Sequence, residues 1–134
     1  MSAGPAVRSP GQAAGVETSP GVTVREMLNA DHGCRGLHQR RLGVTAGARL
    51  AGTAGGRGEA WYVISGTGSL DTERTGPLAL APGTAVWLEP GAGYDGHADD
   101  ELAAPHCLEN TGRDPLRVLG VFHPAGSPAA KQVS

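Results

Sequence analysis

The sequence predicts an all-β domain, an antiparallel sandwich or barrel, on three observations. Glycine (22) and proline (10) are abundant among the 134 residues, and aromatic residues make up 4%. That balance favours short strands joined by turns. β-Branched and aromatic residues gather into about eight to ten short runs at roughly 8–12-residue spacing, each bounded by turn formers. No stretch carries the apolar period of a convincing helix.

The length suits one domain. The formal net charge of −2 argues against a general affinity for nucleic acid or an anionic membrane. No apolar run approaches the roughly 18 residues of a membrane span. The N-terminus lacks a basic-then-apolar signal pattern, so the expected location is cytoplasmic. Cys34 and Cys107 are then expected as free thiols.

In chain order, residues 1–21 are rich in Ser, Ala, Gly and Pro and are expected as a flexible tail, or as an arm lying on a partner subunit. The barrel is expected over residues 22–124, followed by a second tail at 125–134. Residues 22–28 (VTVREML) read as the first strand and 29–36 (NADHGCRG) as a loop. His32, Cys34 and His38 cluster there, but without a second Cys/His group they lack the four-ligand pattern of structural zinc.

Residues 37–44 (LHQRRLGV) read as a strand. Period-2 alternation places His38, Arg40, Leu42 and Val44 on one face. If that face points inward, His38 and Arg40 enter a concave interior; otherwise the arginines sit at a wet strand end. A turn and a strand follow to residue 50, and then the small, flexible run AGTAGGRG at 51–58.

Residues 58–70 (GEAWYVISGTGSL) dominate the chain. Glu59 opens a β-rich run through Ile64, and Gly66 and Gly68 suit a tight hairpin into the next strand. Further strands are expected at 78–81, 84–89, 106–110 and 116–123. Between them, residues 92–105 form a long acidic segment, of which residues 94–105, carrying Tyr94 and His97, are expected to act as a lid. Trp61 and Trp87 are expected in the core or at a dimer interface, with stacking on a ligand as the competing role.

The spacing Glu59-x6-Gly66, an approximate Gly83-x6-Pro90-Gly91, and His106-x3-Asn110 within PHCLENTG resemble the two motifs of the cupin family over residues 35–123. The resemblance implies a cupin-like double-stranded β-helix, or jelly roll. It also implies a homodimer and a divalent iron, manganese, nickel or zinc ion held by three His and one Glu. Two departures stand out. Counting back from Glu59, the paired histidines are replaced at Thr53 and Gly55, or at Gly52 and Ala54. About a dozen residues, in place of the family's two, separate Pro90-Gly91 from His106, so that Tyr94 competes with His106 for the second-motif position.

No cofactor is therefore predicted. If a divalent metal binds, its ligands are expected to be Glu59, His106 and His38. The leading expectation is a small-molecule enzyme of specialised metabolism that runs an isomerisation, cyclisation or dehydration by proton transfer. Glu59, His106 and Tyr94 would be catalytic, and His38, Arg40, Trp61 and His97 would bind substrate. Burial in an apolar barrel raises a carboxylate pKa and lowers that of His, which suits an acid/base pair. Arg40 would hold an anionic substrate group by a bidentate contact. Some metal-free cupins that this pattern resembles are sugar-nucleotide epimerases and ketoisomerases, and Arg35-Gly36-Leu37-His38 looks like part of an epimerase pattern. The alternatives are a metal-dependent cupin, such as an oxygenase, with a rearranged ligand set, and a non-catalytic ligand-binding cupin.

Overall fold

Apolar residues at every second position decide which face of each strand turns inward. In β5 (Glu59–Ser65), Glu59, Trp61 and Val63 are buried while Ala60, Tyr62 and Ile64 are exposed. In β10 (Leu116–Phe122), Leu116, Val118 and Gly120 are buried. β3 (His38–Val44) buries Leu42 and Val44, and β9 (Pro105–Asn110) buries His106, Leu108 and Asn110. This is the two-residue period of a pleated strand with one face in the core.

The computed structural model describes residues 5–53, 58–72, 75–88 and 105–123. The other strands are β1 (Gly15–Ser19), β2 (Val22–Leu28), β4 (Arg49–Thr53), β6 (Gly68–Thr72), β7 (Gly76–Leu80) and β8 (Ala85–Leu88). They form two antiparallel sheets, ordered β1-β2-β3-β10-β5-β8 and β4-β9-β6-β7. Val22, Val44, Val63 and Val118 from the larger sheet meet Leu70, Leu80 and Leu108 from the smaller one in a single core. No helix among the described residues is long and apolar enough to cross a membrane.

Two expectations change. The tail was expected to run to residue 21, yet Gly15–Ser19 is an edge strand paired with β2 from Gly15↔Arg25 to Ser19↔Val22. An edge strand draws on backbone hydrogen bonds and needs few large side chains, so composition does not reveal it. Ala13, just before it, is buried, and Arg25 Nη1 donates to its carbonyl at 2.5 Å.

The second change concerns Gly66 and Gly68, which do not close a hairpin. β5 pairs with β10 and β8, whereas β6 pairs with β7 and β9 in the other sheet. The glycines form a corner where the chain switches sheets. Gly66 has φ +84°, and a Cβ there would lie 2.5 Å from the Pro115 carbonyl oxygen. Residues 94–104, most of the expected lid, and the expected tail at 125–134 lie outside the described residues.

Candidate functional site

The barrel is apolar at one end and polar at the other. Around Val22, Val44, Leu70 and Leu116 the interior is sealed by aliphatic side chains. Toward the opposite ends of β3, β5 and β9 the inward positions are taken by Arg40, Glu59, Trp61 and His106.

Strand order explains how the first two meet. β10 lies between β3 and β5, with Gly120 paired to Arg40 on one side and Trp61 on the other. Strands two apart in a sheet are separated by about 10 Å, so Arg40 and Glu59 must reach over β10. Gly120 leaves the path open, since a Cβ there would run into Glu59 Oε2. Arg40 Nη2 donates to Glu59 Oε1 at 3.1 Å, and Nε donates to Oε2 at 3.3 Å. The guanidinium also lies 5.2 Å from the centre of the Phe122 ring. Glu59 is buried, and the Arg40 side chain is 28% exposed.

His106 enters from the facing sheet. It pairs with Gly52 in β4 and Thr72 in β6, and its ring stands edge-on to Trp61 with 5.4 Å between centres. A Cβ on Gly52 would lie 3.6 Å from His106 Nε2. Gly52 is thus the small residue that faces this histidine, which favours Gly52 and Ala54 as the replaced histidine positions. Burial pushes the His106 pKa below its ordinary 6.5; the nearby Glu59 charge pulls it up and Arg40 pulls it further down. The imidazole makes no hydrogen bond among the described residues, and Trp61 Nε1, fully buried, has no hydrogen-bond partner there either.

The expected site residues separate as follows. Glu59, Arg40, Trp61 and His106 share one polar end. Arg40 points inward, one of the two facings that the alternation with Leu42 and Val44 left open, but its Nε and Nη2 are engaged by Glu59, not free for a substrate anion. His38 does not join them: it contacts Glu26 and stacks on Phe122 at 4.6 Å. The ligand set Glu59, His106 and His38 is therefore not assembled, and no group of three His, Cys, Asp or Glu among the described residues is placed to hold a metal ion. The described residues thus do not assemble the four-ligand metal set that the cupin resemblance implies. Tyr94 and His97 lie outside the described residues. Sequence reasoning missed Gly120 and Phe122; a lone glycine inside an otherwise apolar strand was the available signal for the first.

Gly120→Ala is expected to separate Arg40 from Glu59, because the methyl takes the space of Oε2 and comes within 3.3 Å of Trp61 Cδ1. We expect a loss of about 1–3 kcal/mol in urea unfolding and a changed Trp61 environment in near-ultraviolet circular dichroism. Unaltered stability and spectrum would contradict this geometry.

No family model matches the chain, and no curated protein matches it. Solved structures do. The polyketide cyclase RemF from Streptomyces resistomycificus aligns with a TM-score of 0.71 at 15% identity, over 91% of this chain and 80% of that one. An RmlC-like cupin from Shewanella frigidimarina aligns at 0.65 and 13% identity, over 89% and 90%. The chain has the cupin fold. Ectoine synthase from P. lautus aligns at 0.60 and 20% identity, over 86% of this chain and 72% of that one.

Proposed function

We propose that this cupin is a small-molecule enzyme of specialised metabolism whose barrel carries out a proton transfer, as in an isomerisation, cyclisation or dehydration, with His106 as the base. The observation that carries the reading is a buried imidazole, held neutral by its surroundings and free of hydrogen bonds among the described residues, at the same polar end as the Arg40–Glu59 pair. Neutral His106 takes a proton from a carbon next to a carbonyl. The electron pair moves onto the carbonyl oxygen. Arg40 Nη1, without a hydrogen bond among the described residues, is the donor that receives that oxyanion. Glu59 holds the guanidinium in place. Fold likeness to a polyketide cyclase and to ectoine synthase agrees with this class. The reading includes a homodimer, supported by Tyr62, Ile64 and Trp87 exposed together on the outer face of β5 and β8.

The test is solvent-deuterium incorporation from a panel of polyketide and keto-acid substrates, with His106→Gln as control. On a turned-over substrate, His106→Gln should lower kcat about 100-fold or more. The acid limb of kcat/KM should fall below pH 6.5, since burial lowers the His106 pKa from that value. A second readout needs no substrate. Folded His106 binds its proton more weakly than the unfolded chain does, so stability rises with pH up to about 6.5 and then levels off. His106→Gln should remove that slope. Turnover unaffected by His106→Gln would sink the proposal.

A further inference from the structure

β3 presents Arg40 and Leu42 to the interior, so Arg41 and Gly43 face out. The register places Arg25 of β2 directly opposite Arg41, and Thr23 and Arg117 on either side of Gly43. Residues cross-paired in an antiparallel ladder share a face, so three arginines from three adjacent strands stand together outside the barrel. They line a groove of about 550 Å³, walled by Pro10 and Gly11 at one side and ended by Thr45 and Pro115.

The floor is open at Gly43, where a Cβ would meet nothing nearer than the Thr23 carbonyl oxygen at 3.9 Å. Like charges directly opposite each other in a sheet are destabilising. Among the described residues none of the three guanidiniums lies within ion-pair distance of an acid. Glu17, on the same face of β1, instead accepts from the Gly21 N–H at 3.0 Å. Arg25 gives Nη1 to Ala13 and packs over Gly15, which fixes its position beside the groove.

We propose that this groove binds a phosphate-bearing small molecule through Arg25, Arg41 and Arg117. Guanidinium forks match phosphate oxygens bidentately. Donors arriving from three strands suit a tetrahedral, multiply charged group better than one planar carboxylate. The volume is that of a small-molecule site, and the net charge of −2 speaks against a nucleic-acid surface. The groove lies on the opposite side of the sheet from His106, so it is independent of the barrel chemistry.

Titration calorimetry of the full chain with inorganic pyrophosphate, at constant ionic strength, tests it. We expect saturable one-site binding that weakens about tenfold in Arg41→Gln and in Arg117→Gln. Gly43→Leu, which fills the floor without changing charge, should abolish it. Arg41→Lys should bind with intermediate affinity, which separates loss of the fork from loss of the fold. His106→Gln should bind as the parent does. Binding unchanged in Arg41→Gln and Arg117→Gln, or unaffected by Gly43→Leu, overturns the proposal. Capture of heparin without any binding of pyrophosphate overturns it too, since that would assign the face to a macromolecule.

Discussion

Arg40→Leu is expected to destabilise the fold by about 3 kcal/mol, the usual effect of removing one partner from a buried ion pair. Glu59 is 6% exposed and takes both of its described hydrogen bonds from Arg40. Without the guanidinium its carboxylate keeps the desolvation cost and loses the compensation. Glu59→Gln should cost less, because the amide oxygen still accepts from Arg40, and Arg40, 28% exposed, is partly solvated. Arg40→Leu/Glu59→Leu should be less destabilised than the sum of the single variants, since an apolar pair leaves no orphaned charge. Urea unfolding with unchanged m-values gives the comparison. A double variant as unstable as the summed singles would mean that the two residues act independently.

The pairing shows where sequence reading stops. The alternation of Arg40 with Leu42 and Val44 allowed an inward face or a wet strand end, and the sequence did not choose between them. Glu59 and His106 were legible as buried barrel positions through their motif spacing. Their partners were not. Arg40 and Glu59 are 19 residues apart, and they meet because β10, more than 50 positions further along the chain, inserts between their strands and carries glycine at the crossing. A single sequence holds no register between β3, β10 and β5. The same gap misread Gly66 and Gly68: a glycine pair between two β runs fits a hairpin or a change of sheet equally well. What decided it was the backbone of Pro115 and Leu116 pressed against Gly66. His38 was misplaced for a related reason. At the start of β3 it finds Glu26 and Phe122 before it can reach the interior.

Asn110→Ala should lower stability by about 3 kcal/mol, and Asn110→Asp by at least as much near neutral pH. Asn110 is 2% exposed and closes the sealed end of the barrel. Its Nδ2 donates to the Val44 and Asp114 carbonyls, each at 2.8 Å, and its Oδ1 accepts from the Gly112 N–H at 2.8 Å. One side chain thus ties the end of β9 to β3 and to the turn before β10. Alanine removes three hydrogen bonds, each worth about 1 kcal/mol. Aspartate keeps the acceptor for Gly112 but turns a donor into a buried carboxylate facing two carbonyl oxygens. Burial and those dipoles raise its folded pKa above the unfolded value near 3.9. The added destabilisation is therefore full at pH well above that folded pKa, and it shrinks as pH falls and the carboxyl takes up its proton. Thermal unfolding of both variants from pH 7 to pH 4 should show the gap between them narrowing. A constant gap, or an Asn110→Asp variant more stable than Asn110→Ala at pH 7, would mean that the Nδ2 contacts do not hold this corner.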